Sequence, residues 1–235
     1  MYVEFVGAPG SGKTTTAHEV KRIFNKKGIF CLFNKPPKFK NRLIFFKKLF
    51  WKFKLLSFLK LSMFKIFFIQ KHKSDSNKVS IVRKLKCIYL ALMSHYHIRI
   101  LKHQHDNFAI LSDQSNFFRL SLWVVQGKIG KKVAVDMIRT LIPDNVFFVF
   151  IDTPPSETMR RQILRGRKEK IIPNSTFSEQ EVWIEEYEAV VRILLERMNK
   201  KIGKQCVIVD GRKTAQENAE NILKSFQKNY AKKYR

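Results

Sequence analysis

The chain has 235 residues, 45% of them hydrophobic, and a formal net charge of +27. This length and apolar content exclude a disordered protein and allow one α/β domain with a full core. The charge is uneven: residues 35–107 hold 18 Lys and Arg against two acidic residues, a net charge of +16, whereas the remainder holds +11. The basicity therefore belongs mainly to one segment and not to a uniformly basic nucleic-acid-binding protein.

Cysteine usage and the N-terminus indicate a cytoplasmic protein. The cysteines, Cys31, Cys87 and Cys206, are odd in number and widely spaced, which is typical of reduced, buried thiols. The first predicted strand begins at the initiator methionine, so we expect no signal peptide.

The first twenty residues predict a strand, a glycine-rich loop and a helix. The loop follows the apolar run 2–6 and reads Gly7-Ala8-Pro9-Gly10-Ser11-Gly12-Lys13-Thr14, which matches the phosphate-binding pattern GxxxxGK[ST]. The helix opens at Thr14-Thr15. In this setting backbone N–H groups surround the β- and γ-phosphates, Lys13 reaches their oxygens and the Thr14 hydroxyl ligates Mg²⁺. The pattern predicts a nucleoside triphosphate site.

The chain next predicts a helix that ends near Lys26 with Gly28 as its cap, and a second strand over 29–33 that Pro36 and Pro37 terminate. Residues 39–70 then interleave nine Phe and one Trp with Lys. Their uncharged runs are far shorter than the ~20 residues that span a bilayer. Apolar residues recur every three or four positions, which predicts one or two amphipathic helices: Leu43, Phe46, Phe50, Phe53, Leu56, Leu59, Met63 and Phe67.

Three interpretations of residues 39–70 remain open. Helices that pack over an acceptor site are favoured, because a helical core stripe explains the aromatic residues. The alternatives are a basic surface that lies on an anionic membrane, which would make the protein peripheral to that membrane, and nucleic-acid binding through Lys and aromatic side chains, which is less favoured.

Residues 79–102 again have a helical pattern, and four histidines lie at its end: His95, His97, His103 and His105. Solvated histidines are the favoured interpretation, because no carboxylate or cysteine stands at metal-binding spacing.

The remaining chain alternates strands and helices. Strands are predicted over 108–112, 146–151 and 206–210, and helices over 120–125, 133–141, 156–167 and from a capping box at Ser178–Glu181 to about Lys200. Thr214–Glu217 is a second capping box, for the last helix. Such alternation is typical of a parallel sheet with helices on both faces. The strand at 108–112 ends in Asp113, where an acidic residue can hold a metal, although an N-cap or turn is the alternative.

An arginine cluster follows the fourth strand: Arg160, Arg161, Arg165 and Arg167. It precedes a polar loop, as expected of a lid over about 160–177 that clamps a transferring phosphoryl group. An ordinary charged helix face is the alternative. No N-K-x-D-like tetrapeptide for guanine recognition occurs, which argues against a GTPase.

The sequence resembles the thymidylate kinase and deoxynucleoside kinase group of phosphate-loop kinases along most of its length, least at 36–107. The residues that carry the resemblance are Gly7–Thr15, Asp113-Gln114-Ser115, Arg161–Arg167 and Val209-Asp210-Gly211. The resemblance implies one domain (1–235) with a helical insertion at 36–107, an α/β/α sandwich and a five-stranded parallel sheet of order 2-3-1-4-5. It also implies that Arg161, Arg165 and Arg167 are lid arginines, that Gly211 lies at the nucleotide, and that Asp113 serves Mg²⁺ or the acceptor.

Two positions depart from that group. Lys35 stands where the group has an acid before proline, and Gln114 stands where it has the arginine of an acid–arginine pair. We therefore expect an ATP- and Mg²⁺-dependent kinase with an altered acceptor pocket, and the resemblance implies a small-molecule acceptor that is nucleoside- or nucleotide-like. The alternative is a non-catalytic nucleotide-binding module that docks on an anionic membrane or nucleic acid through 39–70. A homodimer is left open.

Overall fold

A computed structural model describes most of the chain outside the basic segment. The described residues are 1–33, 87, 91, 94, 97, 98, 101–105, 107–113, 116–143, 146–165, 176–202 and 206–231. The predictions for 39–70, Lys35, Gln114 and Arg167 lie outside them.

Five strands and six helices with assigned ends make up most of the described part of the chain. The strands are β1 (Tyr2–Val6), β2 (Phe30–Phe33), β3 (Phe108–Ser112), β4 (Val146–Asp152) and β5 (Cys206–Asp210). The helices are α1 (Lys13–Lys26), α2 (Asn116–Val125), α3 (Lys131–Leu141), α4 (Pro155–Leu164), α5 (Phe177–Ile202) and α6 (Ala215–Ala231).

The five strands form one parallel sheet of order β2-β3-β1-β4-β5, so the predicted fold class and strand order are confirmed. The central pair is in register from Tyr2 with Val146 to Val6 with Phe150. Every residue of β1 is buried, as expected of a strand covered on both faces.

Side chains alternate along β1 between two apolar cores. Tyr2 and Val6 belong to the core under α2, α3 and α5, whereas Val3 and Phe5 belong to the core under α1 and α6. Because all strands are parallel, their carboxyl ends meet at one edge of the sheet, and the loops that carry the candidate site leave from that edge.

One helix start differs from its prediction. The capping box of α5 is made by Thr176 and Glu179 and not by Ser178 and Glu181: the Glu179 carboxylate accepts from the Thr176 N–H at 2.6 Å, and the Thr176 hydroxyl accepts from the Glu179 N–H at 3.3 Å. Both pairs fit the S/T-x-x-E pattern, and the α5 start at Phe177 places Thr176 in the cap position. The box at Thr214 and Glu217 is confirmed.

Candidate functional site

The glycine-rich loop joins β1 to α1 and requires its glycines. Gly7 has φ 142° and Gly10 has φ 97°, in the region that side chains rarely adopt. A Cβ on Gly7 would lie 2.8 Å from the Ile151 carbonyl oxygen, and one on Gly10 would lie 2.9 Å from Cγ of Gln162. The loop is therefore packed against β4 and α4 as well as folded on itself.

The loop lysine is buried at the start of α1. Lys13 is 8% exposed, and its Nζ donates to the carbonyl oxygens of Gly7 at 2.9 Å and Ala8 at 2.5 Å. The pKa of Lys13 is lowered to about 8, chiefly by burial and to a lesser degree by the charge of Arg165, against the attraction of Asp113 and Glu188. The acidic residues Asp113 and Glu188 thus stabilise the charged form of Lys13.

Thr14 and Asp113 meet beside this lysine. The Thr14 hydroxyl donates to Oδ2 of Asp113 at 2.6 Å, although the two residues are 99 positions apart in sequence. Hydroxyl and carboxylate oxygens are ligands that Mg²⁺ prefers, and it normally keeps waters and substrate phosphates as its other ligands. The two side chains fit such an ion. In the described part of the chain, no group of three His, Cys, Asp or Glu is arranged for a metal, so no protein-only cage is present there.

Arg161 lies between the loop and the turn after β5. Its guanidinium donates to the Gly211 carbonyl oxygen at 2.8 Å and to Glu157 at 2.7 Å. A Cβ on Gly12 would lie 3.5 Å from one of its terminal nitrogens. The fold therefore brings together Gly12, Arg161 and Gly211, three residues that the sequence assigned to one site.

The other arginines of the cluster differ from Arg161. Arg160 pairs with Glu157 at 2.6 Å and its side chain is 62% exposed, so it faces solvent. The hydrogen bonds from Arg160 and then Arg161 lower the pKa of Glu157 to about 2. Arg165 is exposed just after α4, and the predicted lid is described only up to this residue and again from 176.

The structure adds loop-supporting residues that the sequence did not single out. Gln162 donates from Nε2 to the Pro9 carbonyl oxygen at 2.6 Å, and Thr153 donates to that of Ser11 at 3.0 Å. Thr153 directly follows β4, which the sequence predicts clearly, so its place at the edge of the sheet could have been noticed. Gln162 had no local signal, because its partner is 153 positions away. Thr15 lies exposed in the first turn of α1.

A buried carboxyl on α5 was also missed. Glu188 is 6% exposed, and its Oε1 has no hydrogen-bond partner within the described residues. Burial, followed by the repulsion of Asp152, raises the pKa of Glu188 to about 7, against the attraction of Arg192 and Lys13. Its signal was available, because Glu188 falls on the apolar face of a long amphipathic helix.

The remaining sequence predictions concern cysteines, histidines and the basic segment. The three cysteines are free, with Cys31 and Cys87 buried and Cys206 partly buried. His103 is exposed, and His105 stacks on Phe30 with ring centroids 4.1 Å apart. Membrane or nucleic-acid binding through 39–70 stays a prediction. None of the helices in the described ranges combines the length and apolar character needed to cross a bilayer.

The five-stranded parallel sheet with its flanking helices is an α/β fold that is similar to the fold of solved deoxyadenosine kinases. Among solved structures, the chain is similar to deoxyadenosine kinase from M. mycoides with bound dATP, at 14% identity and a TM-score of 0.50, covering 97% of this chain and 100% of that chain. It is also similar to deoxyadenosine kinase from M. mycoides with bound dCTP, at 17% identity, a TM-score of 0.50 and the same two coverages.

No family model matches the sequence. No curated protein matches it either. At 14% to 17% identity the likeness to the solved structures is one of fold, and in that respect the resemblance stated from the sequence is confirmed.

Proposed function

We propose that this protein is an ATP- and Mg²⁺-dependent kinase that transfers the γ-phosphoryl group to a hydroxyl of a small, nucleoside-like acceptor. The observation that carries the proposal is the 2.6 Å contact between Thr14 and Asp113 beside the buried Lys13. It joins a hydroxyl, a carboxylate and an ammonium at the head of α1, where the helix dipole and the loop N–H groups favour anions.

In this proposal the loop residues Gly7 to Thr15 hold the triphosphate, and Lys13 leaves its two carbonyl partners for the β- and γ-phosphate oxygens. Thr14 and Asp113 hold Mg²⁺, which neutralises charge on those phosphates when bound. Asp113 alternatively serves the acceptor hydroxyl. Arg161 and Gly211 line the nucleotide, and Arg165 with Arg167 supplies positive charge to the transferring group.

The chemical step makes one bond and breaks one. The acceptor hydroxyl oxygen forms a bond to the γ-phosphorus as the bond from that phosphorus to the bridging oxygen of ADP breaks, and the hydroxyl proton is released. The structural neighbours are deoxyadenosine kinases with bound dATP and dCTP, which supports a nucleoside-like acceptor. The identity of that acceptor follows from the assay below.

The test is ADP formation from ATP–Mg²⁺ against a panel of nucleosides, nucleotides and sugars. We expect Lys13→Ala to lower turnover by ~100-fold or more, because the lysine contacts the reacting phosphates. Lys27→Ala removes an equal charge from the exposed end of α1 and is expected to behave as wild type. Equal turnover in wild type and Lys13→Ala, or no acceptor-dependent turnover in wild type, would contradict the proposal.

A further inference from the structure

The Glu188 carboxyl lies on the buried, apolar face of α5, where acidic side chains are rare. On α5 it shares its face with Ile184, Val191 and Leu195, which are 0%, 0% and 5% exposed. A carboxyl group buried in this way is costly unless its charge or its hydrogen bonds are balanced. Glu188 nevertheless has one oxygen without a hydrogen-bond partner in the described part of the chain.

One aromatic ring links this part of α5 to the lysine of the phosphate-binding loop. The Phe118 ring lies 5.9 Å from Nζ of Lys13, and the same ring lies 5.9 Å from that of Tyr187, the residue before Glu188. The charge of Lys13 acts on the Glu188 carboxyl, and that of Glu188 acts on the Lys13 ammonium. The two buried groups are therefore electrostatic neighbours.

Arg192, the other basic residue that acts on Glu188, already has an acidic partner. Arg192 holds Asp152 at 2.6 Å and lies 4.9 Å over the Phe150 ring. Asp152 and Glu185 oppose ionisation of Glu188, and Arg192 and Lys13 favour it. Lys13 differs from Arg192, because the partners of its Nζ are the neutral carbonyl groups of Gly7 and Ala8. Glu188 and Asp113 are the acids whose charge acts on it.

We propose that Glu188 is a positioning residue that acts through Lys13: its carboxylate balances the buried ammonium before a nucleotide binds and repels the phosphates afterwards, so that it promotes release of the nucleotide product. The inference rests on the proposed function, because it assumes that phosphates occupy the loop. The charge of Asp113 also acts on Lys13, and more strongly than that of Glu188, but the proposed function assigns the Asp113 carboxylate, which accepts from the Thr14 hydroxyl, to Mg²⁺ or the acceptor.

The test is the dissociation constant of ADP and of ATP, each with Mg²⁺, measured by titration calorimetry for wild type, Glu188→Gln and Glu186→Gln. At pH 7.5 we expect Glu188→Gln to bind both nucleotides ~4-fold more tightly than wild type. A carboxyl with a pKa of about 7 is mostly ionised at this pH, and the ionised form must take up a proton or repel the phosphates when the nucleotide binds, which weakens wild-type binding by about that factor. At pH 6 the two proteins should bind alike. Glu186 is exposed on the same helix, so Glu186→Gln should match wild type at both pH values.

Unchanged or weaker nucleotide binding in a folded Glu188→Gln protein would overturn the inference. If that variant does not fold, Glu188→Asp provides the test, because it keeps the charge but moves it away by one methylene. Glu188→Asp should also bind ADP more tightly than wild type. Equal or weaker binding of ADP would contradict the inference. Wild type that binds neither nucleotide overturns the proposed function and this inference together, whereas binding that Glu188→Gln leaves unchanged overturns this inference alone.

Discussion

Arg161 donates a hydrogen bond to the main-chain oxygen of Gly211 at 2.8 Å and thereby ties α4 to the turn that follows β5. The same guanidinium lies beside Gly12 of the phosphate-binding loop. One side chain thus connects the three segments that carry most of the candidate nucleotide site.

This position separates Arg161 from its neighbour Arg160, although both pair with Glu157. We expect Arg161→Ala to lower kcat/KM for ATP by ~10-fold or more, because the variant loses positive charge next to the loop. Arg160→Ala is the matched control: it removes the same charge from a side chain that is 62% exposed, and should change kcat/KM less than about twofold. The measurement is steady-state kinetics with the best acceptor from the panel. Equal losses of kcat/KM in the two variants would mean that the effect comes from removing any positive charge from α4, and not from the position of Arg161.

The turn at Gly211 leaves no room for a side chain. A Cβ there would lie 1.8 Å from Oγ1 of Thr153 and 3.1 Å from the Asp152 carbonyl oxygen, and Thr153 is itself held to the Ser11 carbonyl oxygen at 3.0 Å. We expect Gly211→Ala to lower the free energy of unfolding by about 1–3 kcal/mol, since a buried contact must be displaced. Chemical denaturation provides the measurement.

Gly130→Ala is the control for that substitution. Gly130 is exposed and has φ −74°, which any residue adopts, so its variant should lose less than about 1 kcal/mol. If Gly211→Ala were as stable as Gly130→Ala, the turn would have to relax without cost, contrary to the close packing on Thr153.

The sequence predicted the fold well because its strands are strong local signals. Residues 146–151 form a continuous apolar, β-branched and aromatic run, and such a run is typical of a strand covered on both faces. The phosphate-binding loop was equally clear, since the positive φ angles of Gly7 and Gly10 are a local requirement that the GxxxxGK[ST] pattern already shows.

What the sequence could not determine depends on contacts between distant segments. Arg160 and Arg161 are adjacent and chemically identical, and the direction of each side chain follows from how α4 packs on the loop. Glu188 is one acid among several on α5, and its burial follows from the packing of α5 against α2. The sequence prediction placed the α5 capping box at Ser178 and Glu181, whereas the helix start at Phe177 makes Thr176 and Glu179 the capping pair.

The contact between Thr14 and Asp113 predicts a magnesium dependence. We expect Asp113→Asn to raise the Mg²⁺ concentration for half-maximal ATP turnover by ~10-fold or more, because a neutral amide replaces the carboxylate beside the Thr14 hydroxyl. Asp136→Asn removes an acid of similar exposure on α3, far from the loop in sequence, and should leave the magnesium requirement unchanged. An Asp113→Asn variant with lower turnover but an unaltered magnesium requirement would assign Asp113 to the acceptor.

Glu188 also predicts how stability changes with pH. Its pKa is raised from an ordinary value of 4.5 to about 7, chiefly by burial, so between these values the folded protein holds a proton that the unfolded chain releases. Folding is therefore favoured by the neutral carboxyl at low pH, and this contribution is lost as the pH rises from about 4.5 through about 7. Glu188→Gln stays neutral at every pH and lacks this loss.

The melting temperature of wild type minus that of the variant should therefore fall between pH 5 and pH 7.5, measured by scanning calorimetry. The exposed Glu186→Gln provides the reference, and its curve should run parallel to that of wild type. Parallel curves for Glu188→Gln and wild type would instead mean that the Glu188 carboxyl ionises as readily in the folded protein as in the unfolded chain, and that the charges of Lys13 and Arg192 fully offset its burial.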